Sequence, residues 1–289
     1  MIKFCTLFSG SSGNSVFVGN DRAKLLIDAG VTAKSIANEL RAVGEDPAAI
    51  DYIFITHEHI DHIRGAGVMA RKFGVRICAN RRTWRAMESE LGQIDASQKI
   101  IWEDIQGNLS LGGLDITPFS ISHDAADPVG YTISDRRRRI TVATDTGCVS
   151  PDVIDYFKGS AAVLIESNHD LDMLKYGPYP QYLKARIRSD HGHLSNDCCG
   201  DLATELALSG TKAILLGHLS TENNTPEVAY KTVRVSMENA GIKIVEEGDV
   251  VPPDFFNANI DPDNTAPDPE RSVCLMVAPR YNHSKVILL

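Results

Sequence analysis

The chain has 289 residues, 43% hydrophobic and 23% charged, with a formal net charge of −9. That balance excludes a disordered or collagen-like chain. The acidity excludes a protein that coats nucleic acid by bulk positive charge, though not one with a local basic patch.

Length allows one large domain or two ordinary ones. Residues 2–8 predict a strand, which Ser9-Gly10-Ser11-Ser12-Gly13-Asn14 breaks. Residues 15–18 and 24–27 predict two more around a Gly19-Asn20-Asp21 turn. The spacing of Ile36, Leu40 and Val43 predicts a helix over 32–43, ending near Gly44. Asp51–Thr56 reads as a short apolar strand that runs straight into a His-rich segment. Helices are expected at 65–73 and 81–91 around a strand at 75–79. From 100 to 121 the pattern is strands with Gly turns, continued at 129–134 and 140–144. Buried strands follow at 161–166 and 212–216, helices at 196–208 and 226–240, and strands at 273–278 and 286–289. Two similar halves of mixed strand and helix fit this order, without a clear repeat. Pro252, Pro253, Pro262, Pro267 and Pro269 interleave with Asp and Asn, which reads as an acidic loop. The expected organisation is a core over 1–251, this loop over 252–271, and strands over 272–289 that return to the core.

Six scattered cysteines with no CxxC pair suit buried side chains in a reducing compartment. The first residues are not expected to act as a signal peptide, and no apolar run reaches the length of a membrane span. A cytoplasmic protein without membrane partners is expected; its oligomeric state is not readable.

The informative segment is Thr56-His57-Glu58-His59-Ile60-Asp61-His62. Imidazole and carboxylate are ligands for divalent cations, and a loop after a strand lets ligands converge. In an extended segment His57 and His59 point the same way and can share one ion. Asp61 and His62, beyond a turn, can hold a second. Two cations a few ångströms apart share a bridging water and lower its pKa, giving hydroxide near neutral pH.

This HxHxDH run after an apolar strand resembles the signature of the metallo-β-lactamase fold superfamily. Leu25–Gly30, Ser122-His123-Asp124, Ala143–Gly147 and Leu216–Ser220 resemble its other motifs, in the right order. The resemblance implies an α/β fold, a four-layer αβ/βα sandwich with the site between its halves. It implies that His57, His59 and His123 bind one metal, that Asp61, His62 and His218 bind a second, and that Asp145 bridges them. Asp28 would orient a ligand imidazole. The cofactors would be two divalent ions, Zn²⁺ or Mn²⁺, with Fe²⁺ also compatible with the donors. Lactamases of this fold carry Cys where Asp145 stands, so the carboxylate resembles the phosphodiesterase and thioesterase branches.

Phe8–Ser15, Glu166–Asp170, Gly177–Pro180, Leu183–Ile187, Gly192–Asn196 and Leu219–Asn223 resemble the YycJ (WalJ) group of bacterial exonuclease-like proteins. That group implies a 5′→3′ exonuclease on DNA. Asp61 and His193 are the expected catalytic residues; His193 resembles the position near the leaving group in relatives that cleave RNA, where a protonated imidazole would donate to the departing oxygen. The alternative is a glyoxalase-II-like thioesterase, which shares the bridging Asp. No β-CASP insertion is apparent. Substrate contacts are expected from Ser11, Ser12 and Asn14 in the Ser/Gly loop, from His169, and from Arg136 and Arg137 in a run of four Arg. The basic clusters, including Arg81, Arg82, Arg85, Lys184, Arg186 and Arg188, are expected around the metal cleft. His191 and His283 are left as surface residues.

Overall fold

The computed structural model describes residues 1–104, 109–245, 250–251, 253–256 and 272–289. Strands β1 (Lys3–Phe8), β2 (Ser15–Gly19) and β3 (Lys24–Ile27) pair antiparallel. Strands β4 (Tyr52–Phe54), β5 (Arg76–Ala79) and β6 (Lys99–Ile101) then add in parallel beside β3. A second sheet begins with β7 (Leu109–Leu111), β8 (Leu114–Ser120), β9 (Val129–Ser134) and β10 (Arg139–Ala143), antiparallel in turn. Strands β11 (Ala162–Glu166) and β12 (Ala213–Gly217) extend it in parallel. The last strands divide between the sheets. β13 (Lys243–Val245) and β15 (Ser272–Val277) join the second sheet beyond β12, while β14 (Val250–Val251) and β16 (Val286–Leu288) join the first beyond β1.

Parallel strands need crossovers, and helices supply them. The first sheet carries α1 (Ala33–Ala42), α2 (Ile60–Ile63), α3 (Ala66–Phe73) and α4 (Arg81–Leu91). The second carries α5 (Pro151–Phe157), α6 (Leu171–Tyr176), α7 (Gln181–Ile187), α8 (Asn196–Leu208) and α9 (Pro226–Asn239). Their starts are chemically marked: Thr32, Asn80, Ser195 and Thr225 each accept a backbone N–H from the first turn.

Side-chain alternation sorts the strands into four layers. Phe4, Leu25, Phe54, Tyr131, Leu164 and Leu215 fill the space between the sheets. Leu26 and Ile53 point the other way, onto Ile36, Leu40 and Met69 of the first helical layer. Val163 and Ile165 do the same against Leu202, Leu206 and Val233 of the second. Each such side chain contributes about 1.5–3 kcal/mol by leaving water. This is the expected four-layer αβ/βα sandwich.

Several elements were not anticipated: α2, α5, α6, α7, β13 and β14. All are short, so their periodicity spans too few residues to register. The acidic stretch also differs at its start. Residues 253–256 form a 3₁₀ turn that puts Phe256, 1% exposed, into the core between the sheets. An apolar ring buried there makes this part core rather than loop. The rest of the expected loop, residue 252 and residues 257–271, lies outside the described residues.

Candidate metal centre

The chemistry-bearing side chains collect where strand ends of both sheets meet. Asp28 follows β3, His57 lies three residues past β4, Asp145 lies two past β10, Glu166 ends β11 and His218 follows β12. Among the described residues, Asp28, Asp145 and His218 are the non-glycine residues with positive φ, at 62°, 58° and 53°. Left-handed backbone turns the chain sharply out of the strand and costs energy for residues with a Cβ. The two sheets are tied here directly: Val129 N–H donates to Thr56 O at 3.0 Å, and the Tyr131 hydroxyl donates to Ile55 O at 2.8 Å.

The loop 57–62 is packed against residues 28–30. Ala29 N–H donates to His62 O and Asn14 N–H to Asp61 O, both at 2.8 Å. A Cβ on Gly30 would lie 1.6 Å from Asp61 O, so only glycine allows this approach. Asp28 Oδ1 accepts from Thr56 N–H at 2.8 Å, and Oδ2 lies 2.7 Å from His62 Nδ1. Its carboxylate therefore aims the opposite ring nitrogen, Nε2, into the cluster.

The structure brings all seven ligand candidates together. His57, His59 and His123 present one nitrogen each within 4.8 Å of one another, and so do Asp61, His62 and His218 with their ligand atoms. Asp145 lies between the two groups, with Oδ2 3.2 Å from His62 Nε2 and Oδ1 3.3 Å from His218 Nε2. The Asp145 Oδ2 and His218 Nε2 atoms are buried yet make no hydrogen bond. Buried polar atoms without partners are costly, and a cation among them would satisfy both. The residues present fit divalent metal.

Electrostatics agree with this division. Burial, reinforced by His62, holds the His57 pKa well below the ordinary imidazole value, so it is neutral and ready to coordinate. Burial opposes charge on His62 and His218 too, but neighbouring carboxylates outweigh it. Asp145 and Asp28 hold His62 well up, and Asp145, Asp61 and Glu166 hold His218 at about 10. Burial likewise opposes ionisation of Asp145, yet His218 and His62 keep its pKa well below the carboxylate range.

Glu166 is a functional residue that sequence reasoning passed over. It is 0% exposed, and its Oε1 lies 2.7 Å from His193 Nδ1 and 2.8 Å from His218 Nδ1, while Oε2 accepts from Thr146 N–H. Burial would raise its pKa, but His193 and His218 pull it down to about 2. In turn Glu166 raises His193 against the effect of burial. The signal was available: an acid ending the apolar run Ala162–Ile165 has to find a partner inside.

Other expected contacts change. Asn14 Oδ1 accepts Gly10 N–H and its amide nitrogen lies 3.0 Å from His62 Nε2, so Asn14 braces the loop and faces the cluster rather than a substrate. His169 is 2% exposed, and its backbone O accepts Asn196 N–H at 2.9 Å. Arg136 and Arg137 sit in the turn joining β9 to β10, where Asp135 accepts Arg137 N–H. That turn lies at the opposite end of β10 from Asp145, about 20 Å away at strand rise. The arginines therefore do not line the cleft. Lys184 is buried as well, its ammonium donating to Lys175 O and Gly177 O. His191 is exposed, 3.0 Å from Ser122 Oγ, and His283 pairs with Glu39. Ser11 and Ser12 are exposed on their loop.

Next to the cluster is a pocket of about 190 Å³, lined by Ser11, Asn168, Tyr179, Arg186, His193 and His218 among others. Arg186 donates to Asp124, and Arg280 Nη2 donates to Leu219 O at 2.5 Å.

Residues 23–218 match the family model of the beta-lactamase superfamily domain. An exodeoxyribonuclease WalJ of Streptococcus pneumoniae serotype 2 (strain D39 / NCTC 7466) is 42% identical over 244 residues, 84% of this chain and 90% of that protein. An exodeoxyribonuclease YycJ of Bacillus anthracis is 39% identical over 247 residues, 85% of this chain and 92% of that one. Among solved structures, the metallo-beta-lactamase fold protein YhfI of Bacillus subtilis aligns with a TM-score of 0.67 over 98% of each chain at 15% identity, a likeness of fold. No helix of the described residues is long and apolar enough to cross a membrane.

Proposed function

The chain belongs to the beta-lactamase superfamily, and from that premise we propose that it is a metal-dependent exonuclease that removes nucleotides from the 5′ end of DNA in the cytoplasm. The observation that carries the metal-dependent part is the convergence of seven His and Asp side chains with two buried ligand atoms left unbonded. DNA as substrate and the exonuclease activity rest on the similarity to the two exodeoxyribonucleases, and 5′→3′ polarity on the resemblance of sequence segments to the YycJ group.

His57, His59 and His123 would hold one divalent cation, Asp61, His62 and His218 a second, and Asp145 would touch both; Zn²⁺ and Mn²⁺ suit these donors. When bound, such a pair supplies Lewis acidity and an activated water. The chain's own residues do the rest. Asp28 and Thr56 fix the tilt of the His62 ring. Glu166 Oε1 lies 2.7 Å from Nδ1 of His193, a residue that lines the pocket, and raises its pKa, which favours the protonated imidazole. His193 is thus placed to hand a proton to the departing oxygen as the P–O bond breaks. The test is a time course on end-labelled single-stranded DNA, duplex DNA and RNA with Mn²⁺, Zn²⁺ or chelator. Metal-dependent, stepwise loss of nucleotides from the 5′ end of DNA is expected. No cleavage of any nucleic acid would overturn the reading and favour a thioesterase.

A further inference from the structure

Two side chains of opposite charge line the pocket beside His193 and His218: Arg186, near the end of α7, and Asp124, which follows His123. They are bonded to each other. Arg186 Nε donates to Asp124 Oδ2 at 2.5 Å, and Nη2 donates to the same oxygen. The other carboxylate oxygen, Oδ1, lies 3.3 Å from Nε2 of the ligand candidate His123. The pair is open to water, with side-chain exposures of 58% for Arg186 and 32% for Asp124.

The backbone of Arg186 is held against the site. A Cβ on Gly192 would lie 2.3 Å from Arg186 O and 2.2 Å from Ile187 O, so the last turn of α7 touches the residue before His193 as closely as backbone allows. His193 N–H also donates to Ile187 O at 2.9 Å. The guanidinium thus starts from a fixed place beside His193, as a substrate contact requires.

The chemistry of the pair is that of an anion site already filled by the protein. A guanidinium presents a planar fork of donors that suits carboxylate and phosphate alike. Asp124 takes up one edge of that fork. Ion pairs open to water are worth little, so exchanging this carboxylate for a phosphate costs little. A carboxylate in the path of a polyanion repels it, and its pairing with Arg186 is what makes it tolerable there. Ser11, Asn168, Tyr179 and Ser220 line the same pocket and supply further donors.

We propose that Arg186 takes a backbone phosphate of the DNA at the site, and that Asp124 is its internal competitor, holding the guanidinium until the DNA displaces it. The proposal rests on the exonuclease reading and adds to it one residue that grips the substrate and one that holds that grip in reserve.

Binding of a short fluorescein-labelled duplex is measured by anisotropy in chelator, so that neither metal nor cleavage enters. Arg186→Gln should weaken binding about ten-fold and lower the slope of log affinity against log salt by about one. Arg186→Lys should keep the slope and lose only about three-fold, since it keeps the charge and gives up the fork. Asp124→Asn should tighten binding about ten-fold in the parent, and by no more than about three-fold where Arg186 is already Gln. Circular dichroism and melting check folding, and Arg186→Lys carries the test should the glutamine variant not fold. Unchanged binding in the Arg186 variants overturns the phosphate contact. Equal tightening by Asp124→Asn in both backgrounds means that Asp124 merely repels DNA, and overturns the competition. If the unaltered protein cleaves DNA while either of these results is found, the pair alone falls. If it neither binds nor cleaves DNA, the exonuclease reading falls and takes the pair with it.

Discussion

At the scale of residues, the site is built from strand-end side chains held by partners one step further back. Glu166 is the clearest case, with one carboxylate oxygen near two imidazoles at 2.7 and 2.8 Å. Glu166→Gln keeps the shape and removes the charge. The His193 pKa, which that carboxylate raises, should fall, so the protonated form is lost at lower pH. The alkaline limb of the pH–rate profile should move to lower pH, with turnover down about 100-fold. An unmoved limb would show that Glu166 only fills space. The candidate ligands were legible because each is a polar residue breaking an apolar strand in a known order. The roles of Asn14 and Glu166 were not, because a side chain's partners come from segments far away in the chain: Asn14 meets His62 and Glu166 meets His218.

At the scale of elements, long periodic segments declare themselves and short ones do not. Helix α4 over Arg81–Leu91 matches its expected span, since Asn80 caps it and Trp84, Met87 and Leu91 make one buried face. Helices α6 and α7 have six and seven residues, separated by Gly177-Pro178-Tyr179-Pro180, and no pattern of burial reaches across that break. What holds them is tertiary: the Lys184 ammonium bonded to two carbonyls. Lys184→Met should leave those acceptors unsatisfied and cost about 1–3 kcal/mol. Melting should drop by several degrees, about 2–4 °C per kcal/mol, with new proteolytic cuts within 171–187. A melting point and digest identical to the parent's would mean water replaces the ammonium without loss.

At the scale of the whole molecule, the candidate ligands come from both sheets. His57, His59, Asp61 and His62 follow a strand of the first, and His123, Asp145 and His218 follow strands of the second. Metal held there would brace one sheet against the other, so chelator should lower the melting temperature. Each site filled at a hundred times its Kd adds about 2.7 kcal/mol. His62 and His218 hold protons near neutral pH in the metal-free protein, and a cation must displace them. Affinity should therefore climb with pH, by about ten-fold per unit for each proton released. Calorimetry in buffers of different ionisation heat counts those protons; finding none would mean the rings are already neutral. The far end of β10 has its own consequence, which concerns how fast DNA arrives. The Arg136–Arg139 turn lies about 20 Å from Asp145, beyond two Debye lengths at physiological salt but inside one at about 0.01 M. For a chain of net charge −9, it can draw a polyanion toward the molecule only in dilute buffer. Replacing all four arginines with alanine should slow the encounter with DNA at low ionic strength and leave it nearly unchanged at about 0.15 M. Stopped-flow binding at the two salt concentrations separates these outcomes, and an equal effect at both would mean that the turn touches the substrate after all.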